Sequence, residues 1–304
     1  MTPSLLRRVS GFAALRVIGF TASVGFLAAG CPASTATPAD GGGGGTGGSG
    51  PPICTASDDD LISDFTMDSG VHQVDGRMGG WYTYGDRSGF GVLDPAEGGT
   101  ATPDLTTGNT DCSGSGSLHV TAMTFTDWGA AFGTDFMPKV PDAMSMMVKG
   151  PYDASKYKGI AFWAKATKAI KFVQVKFTDP YTEPSSILAT DQRCFFTSDP
   201  ALKPTKNCSP YIVKFGYGNE TDATVAADFP AYKNYKIDTT WKRFTVMFAD
   251  TKQDQYNLGQ QSPGNKLDVA QIMGMAIQVN SDHGTTPPTA NDFEIWVDDV
   301  SFIK

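Results

Sequence analysis

Hydrophobic and polar positions alternate along the chain after residue 60, and no stretch keeps a helical period. The clearest example is IKFVQVKFTD, residues 170–179, in which Val173, Val175 and Phe177 alternate with polar side chains. Successive side chains of a β-strand point to opposite faces, so this pattern predicts a strand with one buried face. The same alternation predicts strands within 116–123, 157–166, 241–250, 272–282 and 292–304.

The segments between these strands are polar and rich in Pro, Gly, Asn and Asp, notably 94–116, 179–235 and 250–267. Only LDVAQIM, residues 267–273, suggests a helical turn. The spacing leaves no room for crossover helices, so neighbouring strands are expected to be antiparallel. Residues 53–304 are therefore predicted to form a single all-β domain, an antiparallel β-sandwich of the jelly-roll kind with long loops.

The stretch GGWYTYGD, residues 79–86, places three large rings on one predicted strand. Tyr82 and Tyr84 share one face and Trp81 lies on the other, because side chains alternate along a strand. The register of the strand decides which face meets solvent, and the pattern leaves both assignments open.

The last predicted strand changes parity at Asp298 and Asp299. In a regular strand the apolar residues before and after this pair would face opposite sides; they are Ile295 and Val297, then Val300 and Phe302. A β-bulge at the two aspartates would return both sets to one buried face.

The first thirty residues combine Arg7, Arg8 and Arg16 with the apolar stretch VIGFTASVGFLAAG, which is too short for a stable membrane span. With Cys31 directly after it, the segment resembles a bacterial lipoprotein signal peptide, although Leu27 stands four residues before the cysteine instead of three. The resemblance implies export, lipidation of Cys31 and anchoring at the cell surface or outer membrane. Ordinary secretion with cleavage nearby is the alternative. Residues 31–52 are predicted to be a flexible linker, since Gly, Pro, Ser and Thr dominate them.

Four further cysteines, an even number, suit structural disulfides in an oxidising compartment. They are Cys54, Cys112, Cys194 and Cys208, and three pairings are possible. The segment between Cys194 and Cys208 looks like a loop that needs closing, which favours that pair and leaves Cys54 with Cys112. The sequence has no CxxC motif and its three histidines are scattered, so a metal site at these cysteines is weakly supported.

Removing the three leader arginines changes the formal charge from −8 to −11. An acidic body argues against nucleic acid or an anionic lipid surface as the main partner. The sequence contains no GxSxG or HExxH motif and has only four glutamates. It therefore defines neither a nucleophile nor a carboxylate pair for catalysis.

Residues 60–304 carry a series of landmarks, in the order LISDF, GGWYTYGD, DWGAAFGTDF, YDASKYKGIAFWAKA, WKRFTVMFAD and FEIWVDDVSFI. This series resembles the galactose-binding-like jelly rolls. It is most similar to family 11 carbohydrate-binding modules and the related domains of bacterial surface lipoproteins. The resemblance implies a β-sandwich whose concave sheet forms a cleft for a glycan chain.

A sugar ring presents an apolar face of C–H groups and a fringe of hydroxyls, so it is bound by a flat aromatic ring together with amides or charged groups. Alternation offers such groups on the polar faces of otherwise apolar strands. The predicted ligand-binding residues are Tyr82, Tyr84, Trp128, Gln174, Lys176, Gln278 and Asn280. Trp163 and Trp241 are expected to pack within the structure, and Trp296 could do either.

Many jelly rolls of this kind hold a structural calcium where the first and last strands meet. The resemblance therefore implies a Ca²⁺ site made by Asp64, Asp68 and Asp299, whose carboxylate oxygens are ligands that calcium prefers. Solvated or hydrogen-bonded aspartates are the alternative.

Together these observations predict a non-catalytic carbohydrate-binding module of an exported, lipid-anchored surface protein, with a polysaccharide or oligosaccharide as its partner. The alternative is a structural or protein-interaction lipoprotein without a glycan ligand. A polysaccharide lyase or a glycosidase is a third reading; Tyr84, His119 and Lys176 are the residues a lyase could use.

Overall fold

The computed structural model describes residues 61–66, 70–71, 73, 75–86, 91–97, 103–104, 116–137, 139–141, 147–184, 194–195, 197, 199–216, 227–254, 259–282 and 287–304. They belong to one unit of the chain, Ser49–Lys304. The predicted signal peptide 1–30, Cys31, the linker 31–52, the pair Cys54 and Cys112, and Asp68 lie outside the described residues. Among the helices described, none is long and apolar enough to cross a membrane.

Each predicted alternating segment forms a strand. The strands are β1 (Leu61–Ser63), β2 (Trp81–Gly85), β3 (Val92–Asp94), β4 (Pro103–Asp104), β5 (Ser117–Met123), β6 (Ala130–Asp135), β7 (Lys139–Pro141), β8 (Met147–Lys149), β9 (Gly159–Ala166), β10 (Val173–Thr178), β11 (Tyr211–Phe215), β12 (Lys242–Met247), β13 (Lys252–Gln253), β14 (Gly274–Val279) and β15 (Phe293–Ile303). Helical structure in the described ranges is short: residues 227–228, an α-helical turn at Lys203–Lys206, and 3-10 turns at Pro230–Tyr232, Phe248–Asp250, Pro263–Asn265 and Val269–Gln271. The last of these is the turn predicted within LDVAQIM.

The strands form two main antiparallel sheets. Sheet 1 has the order β12-β9-β15-β5-β3, with β1 also paired to β15 and β4 to β5. Sheet 2 has the order β13-β11-β10-β14-β6-β2, and β7 and β8 form a separate hairpin. The predicted fold class, an all-β antiparallel sandwich of the jelly-roll kind, is confirmed.

One hydrophobic core lies between the two sheets, because the apolar side chains that alternate along the strands of each sheet point towards the other sheet. Val173, Val175 and Phe177 of sheet 2 are fully buried in it, as the alternation predicts. Phe215 of sheet 2 stacks on Phe244 of sheet 1 with ring centres 5.7 Å apart. The core thus fixes which residues of sheet 2 point outward.

The β-bulge predicted in the last strand is present. The register of β15 against β9 shifts between Asp298 and Ser301, and Asp299 has a positive φ of 45°. The apolar residues on both sides of the shift are buried in the core, namely Ile295, Val297, Val300 and Phe302.

The prediction of one long connection over 179–235 was wrong, because β11 lies within it. The strand is only five residues long, and its sequence, YIVKF, begins with three consecutive apolar residues, so it lacks the strict alternation on which the strand predictions depend. Shorter strands also interrupt the other two predicted connections, β4 in 94–116 and β13 in 250–267. The predicted disulfide between Cys194 and Cys208 is confirmed, with the two Cα atoms 5.0 Å apart.

Candidate functional site

The outward face of sheet 2 is organised in cross-strand rows. One row runs from β2 to β11 through Tyr84, Ala131, Gln278, Gln174 and Lys214. The next row runs through Tyr82, Gly133, Ala276, Lys176 and Ile212. Each row therefore begins with a tyrosine at the β2 edge, crosses a small side chain on β6, and reaches a polar side chain on β10.

Three rings at the β2 edge form what we call the aromatic wall: Tyr82, Tyr84 and Trp128. Tyr82 and Tyr84 have ring centres 5.9 Å apart, and Tyr84 and Trp128 have theirs 5.8 Å apart. All three are half-buried, so each keeps some contact with solvent. Trp81 is instead 1% exposed and packs on Phe65 in the core. The strand register left open by the sequence is thereby settled, with the tyrosines on the outward face.

Burial shapes the chemistry of this wall. Desolvation raises the pKa of the Tyr82 and Tyr84 phenols above the ordinary value, so both stay neutral hydroxyls at physiological pH. The Tyr82 hydroxyl donates a hydrogen bond to Asp135 Oδ1 at 3.0 Å. A neutral ring of this kind offers a flat apolar surface with one fixed polar edge.

A charged cluster that the sequence did not reveal lies beside Tyr82, and it consists of Lys149, Asp135 and Glu183. Lys149 Nζ lies 2.8 Å from Asp135 Oδ1 and 2.6 Å from Glu183 Oε1, and it also lies 5.8 Å from the centre of the Tyr82 ring. Burial opposes the charge on Lys149, but Glu183, Tyr82 and Asp135 together raise the pKa of Lys149 above its usual range. The lysine therefore stays protonated and holds both carboxylates in place.

Between the aromatic wall and β10 lies what we call the small-residue strip, formed on β6 and β14 by Ala131, Gly133, Gly274 and Ala276. A Cβ atom at Gly133 would lie 2.5 Å from the Met275 carbonyl oxygen, so glycine is required there. Tyr82 and Lys176 belong to one row and are separated by three strand spacings, about 14 Å at the usual distance between strands. The two residues between them in that row are Gly133 and Ala276.

Opposite the aromatic wall stands the polar wall, formed by Gln174, Lys176, Gln278 and Asn280. Lys176 Nζ donates to Gln278 Oε1, and Gln278 Nε2 donates to Asn280 Oδ1 at 2.6 Å and to the Trp128 carbonyl at 3.3 Å. Gln278 thus connects Lys176 to the loop that carries Trp128. Burial lowers the pKa of Lys176 to about 8.

The structure brings all seven residues predicted to bind a ligand onto this one face. It adds Asp135, Lys149 and Glu183, which sequence reasoning missed. Asp135 could have been found by treating DWGAAFGTDF as a strand, since it alternates with the buried Phe132 and Thr134. Lys149 and Glu183 carried no such signal, because tertiary packing alone brings them to Asp135.

Of the three predicted metal ligands, the structure describes Asp64 and Asp299. β1 pairs with β15 so that Ser63 faces Val300, which puts Asp64 and Asp299 at adjacent positions of the pair. Asp64 Oδ1 accepts hydrogen bonds from the Thr66 backbone N–H and hydroxyl at 3.1 and 3.0 Å. In the described part of the chain no three His, Cys, Asp or Glu side chains group as a metal site would need.

The outward face of sheet 1 carries a second set of rings with a lysine among them. We call this set the outer row: His119, Trp296, Lys165 and Trp241. His119 stacks parallel on Trp296 with ring centres 4.6 Å apart. Lys165 Nζ lies 5.1 Å from the Trp296 ring centre and 5.0 Å from that of Trp241. His119 Nε2 also lies 3.0 Å from Glu294 Oε1.

No protein-family profile and no curated protein matches the sequence. Among solved structures, the chain is similar to a family 11 carbohydrate-binding module from Clostridium thermocellum in complex with a β-1,3-1,4-mixed-linked tetrasaccharide, at 15% identity over 80% of this chain and 94% of that one, with a TM-score of 0.41. It is also similar to a family 30 carbohydrate-binding module, at 12% identity over 73% of this chain and 91% of that one, with a TM-score of 0.36. Family 11 modules, which the sequence landmarks resemble, are thus among its structural neighbours.

Proposed function

We propose that this protein is a non-catalytic carbohydrate-binding protein that holds a glycan chain on the outward face of sheet 2. One observation carries the proposal: the half-buried rings of Tyr82 and Tyr84 and the half-buried Lys176 stand on opposite sides of the small-residue strip. A ring of the aromatic wall supports the C–H face of a sugar, and the half-buried Lys176 and Asn280 of the polar wall meet its hydroxyls.

The order of the rows supports a ligand that lies along the strip. Gly133 and Ala276 keep the space between Tyr82 and Lys176 free of long side chains in their row. The Lys149 cluster fixes the Tyr82 hydroxyl, so this ring needs little further ordering when a ligand arrives. A pre-ordered platform of this kind suits a chain of sugars better than a single small molecule.

Affinity electrophoresis of the domain in gels containing soluble β-glucans and other polysaccharides tests the proposal. We expect retardation by at least one glycan, and loss of that retardation in Tyr84→Ala and Trp128→Ala. The matched control is Trp296→Ala, which removes a ring from the other face of the sandwich and should be retarded like the wild type. Absence of retardation on every glycan would contradict the proposal, and release of reducing sugar or unsaturated uronate would show an enzyme instead.

We also propose that the protein is exported and anchored through a lipid on Cys31, with residues 31–52 as a tether. The support is the sequence of the leader and the Gly-rich segment after it. Cell fractionation is the test: the wild type should remain in the membrane fraction, and Cys31→Ala should move to the soluble fraction.

A structural Ca²⁺ ion where β1 meets β15 is the third part of the proposal. The adjacent positions of Asp64 and Asp299 support it, and Asp68 would add a third carboxylate. We expect a chelator to lower the melting temperature of the wild type by several degrees and to have no such effect on Asp299→Asn. Equal melting temperatures of the wild type with calcium and with chelator would contradict it.

A further inference from the structure

Lys176 occupies the middle of sheet 2 with apolar residues beside it. On β10 it pairs with Ala276 of β14 on one side and with Ile212 of β11 on the other. Its only hydrogen bond among the described residues goes to Gln278 Oε1, a neutral amide oxygen. An ammonium group has three N–H donors, so two of them remain for a ligand.

Other lysines that face the same side of the sandwich have carboxylate partners. Lys149 contacts Asp135 and Glu183, and Lys214 Nζ lies 3.9 Å from Asp254 Oδ1. Lys176 makes no ion pair with a carboxylate in the described residues. A half-buried cation with a neutral partner carries a desolvation cost that an anion bound beside it would offset.

We propose that the face binds an acidic glycan, and that the Lys176 ammonium binds the anionic group of a uronic acid or a sugar sulfate. This inference rests on the proposed function, because the aromatic wall must hold the rest of the chain. The acid–lysine contact is a charge-assisted hydrogen bond, the strong kind, and it would be made in a partly desolvated setting. The net charge of the domain is acidic and opposes an anionic ligand at long range, so the selection for an acidic sugar depends on this local contact with Lys176.

Proton binding gives the proposal an independent signature. The pKa of Lys176 is lowered to about 8, chiefly by burial; Asp254, after β13, opposes the shift and Lys214 of β11 contributes to it. An anion bound at Nζ favours the charged lysine and raises this pKa. Binding at pH 8 should therefore take up protons from the buffer.

Isothermal titration calorimetry with matched ligand pairs is the test. One pair is a polyuronate oligosaccharide and its carboxyl-reduced counterpart, and the other is a sulfated oligosaccharide and its desulfated counterpart. We expect the wild type to bind the acidic member of at least one pair about tenfold more tightly, as one charge-assisted hydrogen bond allows. The pair that shows the difference identifies the anionic group.

Lys176→Gln should remove most of that difference and the proton uptake, and should weaken binding of the acidic member more than binding of the neutral member. Lys165→Gln, a lysine of the outer row, is the matched control and should behave as the wild type. Equal binding of acidic and neutral members by the wild type would overturn the acidic-glycan inference and leave the proposed function standing. Failure of both members of both pairs, together with failure of the polysaccharide panel, would overturn both.

Discussion

The two outward faces of the sandwich use the same residue types with different spacing. In the outer row of sheet 1, His119, Trp296 and Lys165 occupy directly paired positions on neighbouring strands, so each side chain contacts the next. On sheet 2, Tyr82 and Lys176 belong to one row but are separated by two small residues. The outer row therefore has no gap between its rings and its lysine. The row on sheet 2 has a gap between Tyr82 and Lys176, although the Tyr82 ring also contacts Tyr84 and Lys149 on its other sides.

Under the proposed function, this difference in spacing gives the two faces different roles: the outer row of sheet 1 contributes to stability, and the face of sheet 2 binds the ligand. Rings that stack on each other and on a lysine use their interaction surfaces within the protein, and such contacts contribute roughly 0.5–1.5 kcal/mol each. A ring and a lysine that are separated by small side chains leave space between them that a ligand can occupy. The small residues Gly133 and Ala276 are therefore what distinguishes the row on sheet 2 from the outer row.

A larger side chain in the small-residue strip should remove the gap between Tyr82 and Lys176, so that the row on sheet 2 has continuous side-chain contacts like the outer row of sheet 1. Ala276→Leu places a branched side chain between Tyr82 and Lys176, and we expect glycan affinity to fall by about 30-fold or more because the sugar loses its space. Calorimetric titration with the best glycan of the panel measures this. Ala276→Ser adds one atom and is the matched control.

Overpacking can itself cost about 1–3 kcal/mol of stability, so the unfolding free energy of both variants must be measured beside their affinity. A folded Ala276→Leu protein that binds as tightly as the wild type would show that the ligand does not use the strip.

Removing a ring from the outer row should act on stability alone. Trp296→Ala loses the stack on His119 and the contact with Lys165, and we expect the free energy of unfolding to fall by about 2 kcal/mol. Urea denaturation followed by tyrosine and tryptophan fluorescence measures it, and glycan affinity should stay within twofold.

Trp128→Ala is the counterpart on sheet 2 and should show the reverse, a large loss of affinity with a smaller loss of stability. The comparison of the two faces breaks down if Trp296→Ala weakens glycan binding as much as Trp128→Ala does.

The sequence predicted the parts of the fold that depend on local alternation. Val173, Val175 and Phe177 point inward as predicted, and the parity change at Asp298 and Asp299 correctly located a bulge, because both follow from the two-residue period of a strand. The outward polar residues followed from the same period.

Contacts between distant strands could not be predicted from that period. The pairing of β10 with β14, which joins Lys176 to Gln278, depends on how the strands order themselves in sheet 2. The cluster of Lys149, Asp135 and Glu183 needs three separate segments to meet. Alternation assigns a residue to a face, and only the strand order decides its neighbours there.

The smallest expected effect is the change in stability when a lysine on each face is replaced by methionine. The pKa of Lys176 in the folded protein is about 8, below the ordinary value of 10.5, so the folded state binds its proton less tightly than the unfolded state. The resulting destabilisation is fully present below pH 8 and disappears as the pH rises through 10.5. Lys176→Met should therefore be more stable than the wild type at pH 7, by about 1 kcal/mol after allowance for partial exposure, and the gain should shrink towards pH 10.5.

Lys165→Met should have the opposite sign, because it loses contacts with the rings of Trp296 and Trp241. Urea denaturation of both variants and the wild type between pH 7 and 10.5 provides the measurement. A destabilised Lys176→Met protein at pH 7 would mean that the native contacts of Lys176 outweigh its desolvation. Its ammonium would then be satisfied within the protein like that of Lys165, and the two faces would no longer differ in the way that supports sheet 2 as the proposed binding face.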